Sequence, residues 1–292
     1  MHQRPEKMQK NPEKHKNNSA LQNKELLGTE ISEGPDGEAL ADRQFVTALA
    51  RGLEMLRCFS AQSRLLSNGE LAERTGLAKS TVSRLTHTLV QLGYLKLDEA
   101  SGRYRVTAAV LALGHAALGN VAVREIARPL MQDLAEYAQA LVSLATRDRL
   151  NMIYLENCRP RSLVTLKVSA GVQLPLCSTS IGRAFLCALP AAERDFLLEQ
   201  VRRRDTDGWS AIHAGLERAQ AEYLAHGYCT SLGDWNRDTN AVAVPLLCPD
   251  HDLLVLSASG PAFALTPERI AKDLGPRLAY LARSIEAAAG QG

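Results

Sequence analysis

The amino-acid sequence predicts an α+β protein with two ordered domains. A small, basic winged helix-turn-helix comes first, and a helical linker leads to a larger domain built on an antiparallel sheet. Three observations carry this expectation. Two short helical segments meet at Gly76, with a strand–turn–strand run behind them. Positive charge gathers on that same stretch: residues 43–106 hold 10 Lys and Arg against 5 Asp and Glu, whereas residues 1–42 hold 6 against 8 and the remainder 18 against 19. Beyond Leu141 the pattern changes from helical spacing to short apolar runs between turns.

The length of 292 residues, 46% of them hydrophobic, is enough for two cores. Residues 1–42 are rich in Lys, Glu, Asn, Gly and Pro and are expected to form a disordered tail, because so few large apolar side chains cannot offset the entropy of ordering. That tail reads either as a plain solvated extension or as a weak DNA contact through its basic first 24 residues. No h-region opens the chain and no run nears the ~18–20 apolar residues of a membrane span, so a cytoplasmic protein without membrane contact is expected. The six cysteines lack any Cys-x-x-Cys pairing and read as small buried hydrophobes. Cys248 and His251 stand three apart with no further ligands nearby, so neither a metal nor a cofactor is expected.

Order is expected from Gln44. Phe45, Leu49, Leu53, Leu56 and Phe59 recur at helical spacing and predict an amphipathic helix over 44–60. Ser67 followed three residues later by Glu70 forms a capping box and opens a short helix that stops at Gly76. The next helix, Ala78 to Gln91, sets Val82, Leu85, Leu89 and Leu92 on one face. Lys79, Ser80, Thr81, Ser83, Arg84 and His87 lie on the other. Tyr94–Leu97 and Arg103–Val106 flank the turn-rich Asp98–Gly102 and read as the hairpin, or wing.

Such a helix pair places the second helix in the major groove, where short polar side chains and Arg near its N-terminus reach base edges. Arg84 is the first candidate for a bidentate guanine contact. Ser80 and Thr81 suit bases or phosphates, and Lys79 and Arg103 suit phosphates. The DNA-binding domain is assigned to 43–106 and the linker to 107–120. The linker helix, capped by Thr107, has Val110, Leu111, Leu113, Ala117 and Leu118 and almost no polar face. It packs either within the monomer or, the favoured reading, against its copy in a second subunit.

The effector domain is assigned to 121–292. A helix with Pro129 near its start is expected to end at Ala138. Strands are expected at Leu141–Thr146, Met152–Asn157, Leu163–Val168, Ala241–Leu247 and Leu253–Ser259, and helices near Gly182–Leu189, Ala191–Arg203 and Ala214–Ala225. A last helix starts at Thr266-Pro267, and all helices are expected on one side of the sheet.

Over residues 44–290 the chain resembles the IclR family of transcription regulators. The resemblance rests on Ala48–Leu53 (ALARGL), Leu71–Leu85 (LAERTGLAKSTVSRL), Leu92–Tyr94 (LGY) and Tyr104–Val106 (YRV). In the second domain it rests on Leu174–Leu176 (LPL), Thr179–Ala184 (TSIGRA), His226–Tyr228 (HGY), Ala241–Pro245 (AVAVP) and Leu256–Pro261 (LSASGP). It implies a homodimer or homotetramer on a palindromic operator in double-stranded DNA, and a GAF-like domain that binds a small metabolite. Carried over by motif, the effector residues are Ser180, Ile181, Asp234, Ser257 and Ser259. Ile181 is bulkier than the small residue common at that place in relatives and reshapes the pocket.

Ser257 and Ser259 stand two apart on a strand and share a face, so their hydroxyls suit a carboxylate or hydroxyl group. Asp234 suits a ligand hydroxyl, and Arg183, if inward, an acid. Tyr228 and Trp235 read either as an aromatic lining or as core. The effector expected is a small organic acid, aromatic acids included. The competing readings are a second domain that only oligomerises or binds a protein partner, and an enzyme with a DNA-targeting domain. The enzyme reading finds no Gly-x-Ser-x-Gly, phosphate loop, His-Glu-x-x-His or dinucleotide fingerprint.

Overall fold

The structure, a computed structural model, describes residues 44–161, 169–248 and 252–290. The described residues divide into two compact units, the first ending at Ala116 and the second beginning at Ala117.

In the first unit, α1 (Thr47–Arg57), α2 (Asn68–Thr75) and α3 (Lys79–Gln91) precede a hairpin of β1 (Leu95–Asp98) and β2 (Arg103–Val106). Ser67 caps α2 as its spacing predicts. Its hydroxyl accepts from the Glu70 amide, and the Glu70 carboxylate accepts from the Ser67 amide at 2.8 Å. Gly76 ends α2 at φ 67°, a left-handed conformation that costs glycine nothing. The core gathers Met55, Leu66, Leu71, Val82, Leu89 and Leu95. Thr86, fully buried, donates to Asn68 Oδ1 at 3.2 Å and so ties α3 to the start of α2.

Two expectations about apolar faces are corrected here. In α1 the face that packs inward carries Met55 and Glu54, and Leu49 and Leu53 point out at 62% and 52% exposure. In α3, Leu92 lies just past the last turn and is exposed. Periodicity finds an apolar stripe but does not say which stripe the neighbouring elements cover.

The linker helix α4 (Ala108–Gly119) has no buried residue, and Leu111 and Leu113 are exposed. Helix α5 (Val123–Ala138) begins six residues before Pro129, so the proline sits inside the helix rather than near its start. Among the described residues no single helix is long and apolar enough to cross a membrane.

The second unit holds a sheet of β3 (Leu141–Asp148), β4 (Asn151–Cys158), β5 (Gln173–Pro175), β6 (Cys229–Leu232), β7 (Thr239–Leu246) and β8 (Leu254–Pro261). Its order is β5-β4-β3-β8-β7-β6, antiparallel throughout. The short strands β5 and β6 were not anticipated, and the strand expected at Leu163–Val168 lies outside the described residues.

Helices α6 (Ser180–Ala188), α7 (Ala191–Arg204) and α8 (Trp209–His226) follow β5. After β8, Thr266 caps α9 (Pro267–Arg269), whose N1 residue is the proline; a π-helical turn at Ile270–Leu274 leads into α10 (Gly275–Ala289).

The expectation of helices on one side is overturned. Val142, Leu144, Val242, Val244 and Leu256 pack one face of the sheet on α5 and α10. Ala145, Met152, Tyr154, Ala243 and Val255 pack the other on α6 and α8. Strands buried on both faces read as near-continuous apolar runs, and AVAVP in β7 is such a run.

Candidate functional site

The first candidate surface is the outer face of α3. Lys79, Ser80, Ser83, Arg84 and His87 are exposed and Thr81 half-buried, while Val82, Thr86 and Leu89 are buried. The predicted set therefore shares one open helix face, with an extended Ala78 at its N-cap. Arg103 stands apart. Its guanidinium donates to the Leu65 carbonyl at 3.2 Å and meets Glu70 at 3.3 Å, which binds the wing to the capping box. The amide and hydroxyl of Ser67, helped by Arg103 and Arg74, hold the Glu70 carboxyl below its ordinary value.

The register reveals a basic pair that single-residue reasoning passed over. Lys96 and Arg105 are direct cross-strand partners in the wing, both exposed. Like charges set opposite each other destabilise a hairpin, and a polyanion against that face relieves the repulsion. Alternation within KLD and RYR could have found the two residues; only the strand register places them side by side.

The second candidate is a cavity of about 40 Å³ over the α6 face of the sheet. It is lined by residues that include Ser180, Ile181, Ser257 and Ser259, together with Tyr154 and Trp235. Pairing of β6, β7 and β8 puts Ser231, Ala241 and Ser259 in one row and Cys229, Ala243 and Ser257 in the next. The small side chains of these rows leave the hollow. The N-terminus of α6 closes it: Thr179 caps the helix by accepting from the Gly182 amide. Gly182 is required by close approach, since a Cβ there would lie 1.7 Å from the Leu176 carbonyl oxygen.

Beside these lining residues the same face of the sheet is polar. Ser143 pairs with Asn157 on one side and Ser257 on the other, and its hydroxyl donates to Asn157 Oδ1 at 2.6 Å. Ser257 is 1% exposed, and its hydroxyl has no hydrogen-bond partner among the described residues. Opposite Leu144 and Ala145 of β3 the register shifts by one residue, leaving Leu155 of β4 as the extra residue of a bulge, which brings Tyr154, as well as Asn157, onto this face. Burial pushes the Tyr154 phenol up to about 12, against the opposing effect of its hydrogen bond with Ser143.

Asp234 does not line this cavity. It follows Gly233 after β6 and accepts from Arg183 Nη1 at 2.6 Å, with Arg218 at 3.5 Å. Arg183, with 6% of its side chain exposed, also donates to the carbonyls of Cys177 and Thr230. The two residues carried toward a ligand by motif or charge thus pair with each other. Trp235 is on the lining, nearly half exposed, whereas Tyr228 belongs to the core on the opposite side of the sheet. Among the described residues no cluster of three or more His, Cys, Asp or Glu is placed to hold a metal ion.

A winged helix-turn-helix joined to a domain with a polar cavity beneath a helix N-terminus defines a ligand-responsive DNA-binding regulator. The comparisons agree. The IclR helix-turn-helix domain matches residues 48–99, and the bacterial transcriptional regulator IclR C-terminal domain matches residues 115–287. The chain belongs to the IclR family of transcription regulators, DNA-binding proteins with an effector-binding C-terminal domain.

It is 38% identical over 256 residues to the HTH-type transcriptional regulator TsaQ1/TsaQ2 of Comamonas testosteroni, covering 87% of this chain and 92% of that one. A crystal structure of an IclR family regulator from Brucella abortus superposes with a TM-score of 0.83 at 47% identity, over 90% of this chain and 97% of the other. An IclR homologue from Microbacterium hydrocarbonoxydans, complexed with 4-hydroxybenzoate, shares the fold at a TM-score of 0.66 and 20% identity, over 84% and 100% of the two chains.

Proposed function

We propose that this regulator acts as a cytoplasmic homodimer or dimer of dimers, reads a palindromic operator with paired copies of α3, and responds to a small organic acid, aromatic acids included. In this reading residues 43–106 bind DNA, 107–120 form the linker and 121–292 bind the effector. Arg84 reads a base, Ser80, Thr81, Ser83 and His87 complete the helix face, and Lys79 holds phosphate. Arg103 acts by fixing the wing, and Lys96 with Arg105 supplies further phosphate contacts.

The observation that carries the effector reading is the buried Ser257 hydroxyl, unpartnered among the described residues, in the cavity under the first turn of α6. The first amides of a helix have no partner within it, and the dipole there favours an anion. The amides of Ser180 and Ile181 therefore suit a carboxylate, with Ser257 and Ser259 hydroxyls facing it. The 4-hydroxybenzoate bound by the Microbacterium homologue agrees with that class of ligand. An aromatic ring needs more room than about 40 Å³, since a cavity of ~150 Å³ is the size that admits benzene. Binding must therefore widen the site, and Trp235, nearly half exposed, is the lining side chain with room to move toward solvent.

Pairing of two copies follows from α4. Leu111 and Leu113 stay 73% and 56% exposed in one chain, and burying them against a second copy is favourable. Two copies set the half-site spacing of ~34 Å for one helical turn. A ligand that favours one dimer geometry then shifts operator affinity by its differential binding, typically ~1–3 kcal/mol.

The test is a thermal-shift titration with benzoate, 4-hydroxybenzoate and pyruvate on the full chain, repeated as a gel shift on promoter DNA. A stabilising acid that also changes DNA affinity is expected. DNA binding indifferent to every acid that stabilises the protein leaves the second domain as an oligomerisation or protein-binding module.

A further inference from the structure

Two thiols meet behind the cavity. Cys187, in the last turn of α6, and Cys229, the first residue of β6, bring their sulfur atoms to 3.7 Å, with the Cys229 thiol within donating reach of Cys187 and of the Ala219 carbonyl at 3.5 Å. They come from elements 42 residues apart in the chain, so the contact is made by the fold and not by a local motif. Cys229 is fully buried and Cys187 is half-buried. Part of the Cys187 surface is open to solvent, and none of Cys229 is. A disulfide bond measures ~2.05 Å, so closure from 3.7 Å requires the sulfurs to approach by about 1.7 Å.

The electrostatics separate this pair from the other cysteines. The hydrogen bond from Cys229, aided by the Arg194 and Arg183 charges, holds the Cys187 thiol below its ordinary value, against burial and Glu222. That same hydrogen bond and burial push Cys229 upward. Burial pushes Cys58 and Cys158 up to about 11 and Cys177 up to about 12, and raises Cys248 as well. Thiolate character with exposure is what makes one thiol reactive among several.

We propose that Cys187 and Cys229 form an oxidisable dithiol site that takes hydrogen peroxide and closes to an intramolecular disulfide between α6 and β6. The Cys187 thiolate attacks one peroxide oxygen and the O–O bond breaks. Cys187 becomes a sulfenic acid, and the departing hydroxide takes up the proton that Cys187 released, leaving as water. The Cys229 sulfur then attacks the sulfenic sulfur. The S–O bond breaks, and the hydroxyl group leaves as a second water with the Cys229 proton. Two thiols and one peroxide give one disulfide and two waters. A dithiol reductant reverses the change through a mixed disulfide.

The bond would fasten the C-terminal turn of α6 to β6, beside the Arg183 guanidinium that already bridges these elements through the Thr230 carbonyl.

The experiment uses the reduced full-length protein, freed of reductant and treated with a small excess of hydrogen peroxide, then blocked with N-ethylmaleimide. Free thiols are counted and a non-reducing digest is read by mass spectrometry. The expected result is a fall from six free thiols to four and a cross-linked peptide pair holding Cys187 and Cys229, lost on adding dithiothreitol. In Cys229→Ser, dimedone is expected to trap a sulfenic acid at Cys187; in Cys187→Ser, Cys229 is expected to stay a thiol. Six surviving thiols at peroxide levels that oxidise free cysteine would overturn the proposal. So would a disulfide joining any other pair, or Cys187 driven to sulfinic acid with Cys229 still reduced.

Discussion

Ser257→Ala tests the effector site through an inversion of sign. In the resting protein the Ser257 hydroxyl is buried and has no hydrogen-bond partner among the described residues. A buried polar group left in that state costs ~1–3 kcal/mol. Replacing it with a methyl group removes the cost and forfeits a few atomic contacts of ~0.1–0.2 kcal/mol each. The variant should be more stable than the parent by ~1 kcal/mol, a rise in Tm of ~2–4 °C for a unit of this size. With a carboxylate in the cavity the balance reverses, because a hydrogen bond to a charged group contributes ~1.5–3 kcal/mol. Its loss should weaken binding about 10- to 150-fold at 1.4 kcal/mol per decade.

Thermal denaturation of the ligand-free variant, with calorimetric titration of whichever acid most stabilises the parent, reads both effects. A fall in ligand-free Tm of more than about 2 °C would mean the hydroxyl is satisfied at rest. Unchanged affinity for the acid would place the ligand elsewhere. Either result refutes the argument.

Arg84→Ala should weaken binding to promoter DNA by ~1–3 kcal/mol and weaken random DNA far less in parallel gel shifts; equal losses would make Arg84 a phosphate contact. Leu113→Glu places a charge on the exposed apolar face of α4 and should give monomers in sedimentation, whereas an intact assembly would locate the pairing surface elsewhere. Gly182→Ala drives a Cβ to 1.7 Å from the Leu176 carbonyl oxygen. Overpacking of this kind typically costs ~1–3 kcal/mol and occasionally more. A visible drop in Tm is expected, and a variant as stable as the parent would show that α6 has room to move.

Local chemistry made the first unit legible. The capping box at Ser67 and Glu70, the glycine stop at Gly76 and the hairpin break at Asp98–Gly102 are each decided by residues close in sequence, and the structure reproduces them. Where sequence reading failed, the deciding partner was distant. Leu49 and Leu53 belong to a genuine apolar stripe, but Met55 is the residue its neighbours cover. Tyr154 reaches the cavity face only because a bulge shifts β4 by one residue, and a shift of one exchanges the faces of a strand. The pairing of Arg183 with Asp234 joins a helix to a turn 51 residues away, and no spacing rule encodes it. The serines of LSASGP were legible because alternation along one strand suffices to set them on one side.

The engagement of Arg183 by Asp234 has a consequence for the kind of acid the cavity accepts. Among the described residues that line it, none carries a charge. Positive potential there comes from the start of α6, equivalent to ~0.5 of an elementary charge, and from hydroxyl donors. That is enough to hold one carboxylate whose charge is shared over several hydrogen bonds. It is not enough for two, because a second buried anion without a cation meets the full desolvation cost.

Terephthalate and 4-hydroxybenzoate differ by a carboxylate in place of the para hydroxyl, with the first carboxylate and the ring unchanged. The proposed site should bind 4-hydroxybenzoate at least tenfold more tightly, and the gap should narrow as pH falls and the second carboxyl of terephthalate takes up its proton. Calorimetric titration of both acids decides the matter. Terephthalate binding as tightly as 4-hydroxybenzoate at neutral pH would require a cation at the site, and Arg183 would then have to leave Asp234 to supply it.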